Sequence, residues 1–172
     1  MSTQLVAALA DYGRYHNDPR NVATHAFGVP MILVAVMILL SRPSLVIFGV
    51  PVSPATFAAL AAVLFYLRLD LRFALAMAVI FAFCHVLGAE IAARSTSVWL
   101  SAGLGLFVVG WIFQFVGHAI EGRKPAFLDD ISSLLVGPLF MVAKLATALG
   151  LRDDVRRAIE AGSMRHASNG NA

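Results

Sequence analysis

Long stretches without a charged residue dominate the pattern of this chain. Residues 21–41, 43–67, 73–89 and 95–120 contain no Asp, Glu, Lys or Arg. A helix needs about 20 apolar residues to cross a hydrocarbon core of about 30 Å. The pattern therefore predicts an all-α membrane protein with four transmembrane helices. The first is expected to begin at residue 22 and to end before an external connection at residues 41–53. The others are expected at about residues 54–69, 71–92 and 98–121, and the second helix is short for a full crossing.

Two further elements flank these helices. Leu5, Leu9 and Tyr12 alternate with polar positions, which predicts an N-terminal helix lying at the membrane surface. Residues 131–150 are apolar but contain Gly137 and Pro138. We interpret them as a C-terminal re-entrant or interfacial helical hairpin, because a fifth crossing would move the following arginines to the opposite side.

The helix boundaries follow from local signals. Asn21 is the expected N-cap of the first transmembrane helix, because its side chain can accept a hydrogen bond from a free backbone N–H. Pro54, directly after Ser53, suits the first position of the second helix. Residues 1–161 are expected to form a single integral membrane domain, and residues 162–172, which include His166, a disordered tail.

Basic residues are distributed unequally between the two sets of helix ends, six against two. This bias places the N-terminus in the cytoplasm and returns the end of the fourth helix to the same side. The expected location of the protein is a bacterial inner membrane, or the endoplasmic reticulum in a eukaryote. The active site is expected at the cytoplasmic face. The six are Arg14, Arg20, Arg68, Arg72, Arg123 and Lys124, and the two are Arg42 and Arg94.

The amino-acid composition limits the classes of function that this protein can have. The chain is 59% hydrophobic and 13% charged, far from the averages of soluble domains. Its basic residues are dispersed along helix ends, which argues against nucleic acid as a partner. The first twenty residues lack the pattern of a signal peptide. Cys84 is the sole cysteine, so no internal disulfide can form.

Candidate functional residues are concentrated at the end of the fourth predicted helix. Gln114, His118 and Glu121 are spaced by four and then three residues, which places them on one helical face. Imidazole, carboxylate and amide groups together are suited to a metal or acid–base site. The alternative is that Gln114 and His118 pack between helices while Glu121 is solvated.

Three histidines are predicted to converge at the cytoplasmic interface. His16 precedes the first transmembrane helix, His25 lies in its first turn, and His118 closes the fourth. Three imidazoles, with or without Glu121, would leave coordination positions open on a transition metal. His85 lies about 20 Å from that interface along the third helix, so we favour a packing role for it.

Two sequence blocks resemble the membrane 2-hydroxy fatty acid dioxygenases. The blocks are YHNDPRNVATHAFGVP at residues 15–30 and QFVGHAIEGRKPAFLDD at residues 114–130, followed by LLVGPLF at residues 134–140. The paired His-x8-His and Gly-His-x-x-Glu spacings carry the resemblance, whereas the intervening helices are similar only in being apolar.

The resemblance implies an iron(II)-dependent dioxygenase of fatty acid α-oxidation, which converts a 2-hydroxy fatty acid and O2 into a fatty acid one carbon shorter. It places the metal on His16, His25 and His118, with Glu121 and Asn21 beside them. A 2-hydroxy acid can chelate a metal through its carboxylate and hydroxyl groups. Gln114, Asn21, Arg123 and Lys124 are the candidate substrate-binding residues, although the last two also suit simple membrane anchors.

Two other function classes stay open from the sequence. A haem-binding electron carrier would use His85 and His118 as axial ligands and would show a Soret band. A non-catalytic membrane scaffold would leave His16 and His25 apart from each other and from any metal. Elemental analysis of purified protein distinguishes iron without haem, haem, and no metal.

Overall fold

The computed structural model describes residues 2–157, which are almost entirely helical. The secondary-structure elements in chain order are α1 (Thr3–Gly13), α2 (Pro19–Leu40), β1 (Leu45–Ile47), β2 (Val50–Val52), α3 (Pro54–Leu69), α4 (Leu71–Ala92), α5 (Thr96–Glu121), a 3₁₀ helix (Ala126–Leu128) and α6 (Ser133–Ala148). The all-α prediction is confirmed in this coarse sense. The predicted disordered tail, with His166, lies outside the described residues.

The described residues form two compact units. The first comprises residues 2–26 and 114–157, and the second comprises Phe27–Phe113. Each of α2 and α5 contributes residues to both units. The expectation of one membrane domain over residues 1–161 therefore stays a prediction.

Three helices are long and apolar enough to cross a membrane. α2, α4 and α5 contain 22, 22 and 26 residues, and each includes an apolar stretch of 18 residues with at most two Asp, Glu, Lys or Arg. The predicted α3 is present, but its 16 residues fall short of the roughly 20 that a perpendicular crossing requires. The chain is thus a membrane protein with three long candidate spans among its described residues, and the count of four crossings is not confirmed.

The start of α2 differs from the prediction. The helix begins at Pro19 rather than Val22, because proline is already in helical geometry at a first position and needs no N–H partner there. Asp18 caps it: the Asp18 carboxylate accepts a hydrogen bond from the Arg20 backbone N–H at 2.8 Å. Asn21 is therefore not the N-cap. It lies in the first turn with its side chain fully buried.

The predicted re-entrant or interfacial hairpin over residues 131–150 is not confirmed: one helix, α6, occupies Ser133–Ala148 of this segment. Pro138 removes one backbone donor but does not end the helix. Val136, Leu139, Phe140 and Ala143 are buried at helical spacing, and α6 packs against α1. Burial of this apolar face outweighs the local effect of the proline. The 16-residue helix is about 24 Å long.

The connection over residues 41–53, predicted only as external, forms a small antiparallel hairpin. Leu45 pairs with Val52 and Ile47 with Val50. The two turn residues, Phe48 and Gly49, have φ values of 50° and 79°. Two successive positive φ values are the requirement of the tight turn that matches the twist of a hairpin.

Candidate metal centre

Three histidines meet in the first unit from three different chain segments. His16 lies in the loop after α1, His25 in the second turn of α2, and His118 in the last turn of α5. Their ring centroids are 4.4 Å apart for His16 and His25, 5.1 Å for His16 and His118, and 4.9 Å for His25 and His118. One possible ligand atom from each lies within 4.8 Å of the other two.

Two of these imidazoles are held by backbone carbonyls four residues earlier in the chain. The His16 Nδ1 lies 2.8 Å from the Tyr12 carbonyl oxygen, and the His25 Nδ1 lies 3.0 Å from the Asn21 carbonyl oxygen. A carbonyl can only accept, so each Nδ1 carries the proton and donates it. Each Nε2 therefore carries the lone pair, which is the tautomer that a metal site with ordered imidazoles uses.

Each of the three histidines has one buried ring nitrogen without a hydrogen-bond partner in the described part of the chain. His16, His25 and His118 are 3%, 0% and 6% exposed. The Nε2 of His16, the Nε2 of His25 and the Nδ1 of His118 have no hydrogen-bond partner within residues 2–157. Burial lowers the pKa of His16 to about 4, which keeps this imidazole neutral at pH 7. Buried polar atoms are normally paired, so three neighbouring imidazoles, each with an unpartnered ring nitrogen, fit a metal ion.

Glu121 binds the loop that carries His16. Its Oε1 accepts from the Asn17 backbone N–H at 2.9 Å, and its Oε2 accepts from the Asp18 backbone N–H at 2.8 Å. The Asn21 amide donates to the same Oε2 at 3.1 Å. The carboxylate thus connects the end of α5 to the segment between His16 and α2.

The two predicted amides are both buried beside this centre. The Asn21 Nδ2 also donates to the Tyr15 carbonyl oxygen at 3.0 Å, while its Oδ1 has no partner in the described chain. Gln114 lies one turn before His118 and is 7% exposed. Its Nε2 likewise finds no partner among the residues that the structure covers. Each amide therefore retains hydrogen-bonding capacity next to the histidines.

The two predicted cationic residues are exposed and engaged elsewhere. The Arg123 guanidinium donates to the Arg14 carbonyl oxygen at 2.8 Å. Lys124 forms an ion pair with Asp129, and this hydrogen bond raises the pKa of Lys124 and lowers that of Asp129. Neither side chain is held inside the histidine centre.

Two aromatic rings behind His16 were not predicted from the sequence. The Tyr12 ring stacks on the His16 imidazole, with centroids 4.2 Å apart and planes 11° from parallel. Phe140, from α6, lies 5.1 Å from Tyr12 and 5.8 Å from His16. The four-residue spacing of Tyr12 and His16 is a signal that could have been used. Phe140 is 124 residues from His16, and nothing local indicates the contact.

His85 is not one of the three clustered histidines. It is a half-buried residue of α4 and belongs to the second unit.

Comparison with known proteins agrees with the resemblance found in the sequence blocks. A family model described as 2-hydroxy-palmitic acid dioxygenase Mpo1-like matches residues 2–149. The chain belongs to the Mpo1-like family. The match contains all three clustered histidines and Glu121.

A curated relative of this Mpo1-like chain is the 2-hydroxy-palmitic acid dioxygenase MPO1 of Saccharomyces cerevisiae. The two are 30% identical over 158 residues, which cover 91% of this chain and 87% of the yeast protein. No solved structure gives a significant match.

Proposed function

We propose that this protein is an iron(II)-dependent dioxygenase that shortens a 2-hydroxy fatty acid by one carbon. The three buried histidines with unpartnered ring nitrogens carry the proposal. The equation balances when the carboxyl carbon leaves as CO2: one 2-hydroxy acid and one O2 give the shortened acid, CO2 and one water. The yeast relative, a 2-hydroxy-palmitic acid dioxygenase by name, supports this substrate class.

His16, His25 and His118 would hold the metal. Iron(II), when bound, would supply O2 activation and a chelation site for the carboxylate and 2-hydroxyl of the substrate. The backbone carbonyls of Tyr12 and Asn21 keep two imidazoles in the binding tautomer. Burial excludes water from the centre.

The amide atoms of Gln114 and Asn21 that have no partner in the described chain would bind and orient the substrate. Gln114 offers unpartnered N–H donors to a carboxylate or hydroxyl oxygen, and the Asn21 Oδ1 offers an acceptor to a hydroxyl proton. Arg123 and Lys124 would act before binding, by attracting the acid to the interface. The acyl chain would lie among the apolar helices, which accounts for the membrane location.

The proposal is tested by metal analysis and turnover on the same purified sample. We expect iron without a Soret band, together with O2-dependent conversion of 2-hydroxypalmitic acid into a C15 acid. A haem spectrum would support the electron-carrier alternative instead. Absence of both metal and turnover would support the scaffold alternative, although the 4.4 Å between His16 and His25 counts against it.

We further propose that α2, α3, α4 and α5 each cross the membrane. The side that carries the three histidines would then face the cytoplasm. The six-to-two distribution of basic residues supports this orientation. In a Cys84→Ala background, single cysteines at residues 14, 70 and 123 should resist impermeant reagents applied from the opposite side. Labelling of any of them from that side contradicts the topology and leaves the chemistry untouched.

A further inference from the structure

Gly117, directly before His118 on α5, lies where a side chain would have no space. A Cβ built on this glycine would overlap the Thr24 Oγ1 and the Asn21 Oδ1, and it would lie 3.2 Å from the His25 Nδ1. Side-chain carbons in close-packed interiors do not overlap other atoms in this way. Gly117 is within a regular helix, so its role is to leave space and not to adopt an unusual backbone conformation.

The atoms around Gly117 cannot easily move aside. The Thr24 hydroxyl donates to the Asn21 carbonyl oxygen at 2.7 Å, and His25 donates its Nδ1 proton to the same oxygen. The Asn21 amide is in turn bound to Glu121 and to the Tyr15 carbonyl. A methyl group at residue 117 would therefore disturb the bond that sets the His25 tautomer.

Another glycine of the same helix shows what a tolerant position looks like. A Cβ at Gly105 would meet nothing within 4 Å. Alanine is favoured over glycine in a helix by roughly 1 kcal/mol. Gly105→Ala therefore makes the same chemical change in α5 with no clash, and it serves as the matched control.

We propose that Gly117 is a positioning residue of the metal centre: its missing side chain sets the approach of α5 to the first turns of α2 and thereby the separation of His118 from His25. The functional part of this inference rests on the proposed metal site. The structural part, the tautomer of His25 in the metal-free protein, does not depend on it.

The test compares Gly117→Ala and Gly105→Ala in the full-length protein by two readouts. In metal-free protein at pH 8, ¹⁵N NMR of labelled histidines reports the His25 tautomer, with the signal assigned by its loss in His25→Ala. Titration with Co²⁺, followed by its visible absorption, reports metal affinity. We expect Gly117→Ala to lose the Nδ1–H tautomer of His25 and to weaken Co²⁺ binding by about 10–100-fold. Gly105→Ala should match the wild type in both.

A second change keeps the test decisive if Gly117→Ala is unstable. Thr24→Ala removes the atom nearest to the added methyl group, so the double variant Thr24→Ala/Gly117→Ala should recover part of the tautomer signal and of the Co²⁺ affinity. Equality of Gly117→Ala with Gly105→Ala overturns the inference. So does an unstable variant that Thr24→Ala fails to restore, since the glycine would then serve folding in general. If wild-type protein binds no Co²⁺, the metal proposal fails, and the tautomer alone decides the role of Gly117.

Discussion

The two units of this protein bury different kinds of side chain. The second unit, Phe27–Phe113, buries mainly aliphatic and aromatic residues, and its buried polar residues among those described are Ser41 and Ser53. The first unit buries His16, Asn21, His25, Gln114, His118 and Arg152. Burial of polar groups costs free energy unless they are bonded. The first unit therefore accepts a cost that a bound metal would offset, whereas the second has no comparable need.

Polar interactions in the second unit serve the ends of helices. The Arg42 Nε donates to the Ala92 carbonyl oxygen at 2.7 Å, at the end of α4. The Trp99 indole donates to the Ile38 carbonyl oxygen at 2.8 Å, near the end of α2. Such bonds add to the hydrogen bonding of carbonyls in the last turn of a helix, where intrahelical donors run out. We therefore propose that the first unit provides the binding chemistry and that the second provides structural support.

The largest expected effect comes from removing a clustered histidine. His16→Ala, His25→Ala or His118→Ala deletes one of the three proposed metal ligands, so each variant should lose the metal and all turnover. The measurement is metal content and O2-dependent acid shortening in purified protein.

His85→Ala is the matched change in the other unit. It should keep the metal, with reduced stability or little effect of any kind. Full activity in His25→Ala would reject the site as described, and complete metal loss in His85→Ala would place a ligand in the second unit.

Removal of an aromatic ring behind His16 should have the next largest effect. Tyr12 is 7% exposed and stacks on the imidazole. Tyr12→Ala should lower the free energy of unfolding by about 3–5 kcal/mol, as other large aromatic truncations do. It should also weaken metal binding, because His16 loses its support. Thermal unfolding and Co²⁺ titration measure the two effects.

Tyr12→Phe keeps the ring and removes only the hydroxyl, which lies 2.9 Å from where a Cβ of Gly137 would be. We expect it to retain both stability and affinity. A loss of metal in Tyr12→Phe equal to that in Tyr12→Ala would show that the hydroxyl, and not stacking, matters.

Glu121→Gln tests the link between α5 and the loop of His16. The amide group keeps the shape and one acceptor oxygen, but its NH2 would face a backbone N–H that now donates to the carboxylate. Because Glu121 holds the loop of His16, a proposed ligand, the variant should retain iron and lose activity by about 10–100-fold. Iron loss to the level of His118→Ala would make Glu121 a ligand, and wild-type rates would make it dispensable.

The sequence was sufficient for those parts of the fold that depend on local signals. Ser53 and Pro54 predicted the start of α3, and the uncharged run predicted α4 over the residues that form it. The convergence of His16, His25 and His118 followed from where each stands relative to an apolar helix. To predict this convergence it is enough to know which end of each helix faces which side of the membrane. The distribution of basic residues predicts that direction.

Features that depend on distant partners could not be read from the sequence. The Glu121 carboxylate binds backbone groups more than 100 residues away. Gly117 is constrained by Thr24 and Asn21, which no spacing connects to it. Pro138 indicated a break in α6, yet burial against α1 keeps the helix intact. In each case tertiary packing, and not local propensity, decides the outcome.

Arg42→Gln should separate stability from chemistry in the second unit. The variant loses charged hydrogen bonds to the end of α4, each worth about 1.5–3 kcal/mol. We expect a lower midpoint of thermal unfolding with unchanged metal content. Arg94→Gln is the control, because the backbone carbonyl of Arg94, and not its side chain, accepts from Arg42. Metal loss in Arg42→Gln would contradict the division of roles between the units.

The smallest expected effect is that of Lys124→Gln. Lys124 and Asp129 form an exposed ion pair, so stability should change by only about 0–1 kcal/mol. If Lys124 attracts the substrate carboxylate, the variant should raise KM a few-fold at low ionic strength, with kcat unchanged. The difference should vanish in high salt, where screening shortens the reach of the charge to a few ångströms. Lys124→Arg retains the charge and should behave as wild type. A salt-independent fall in kcat would instead place this lysine in contact with the reacting acid, and an unchanged KM at low salt would leave it as a membrane anchor.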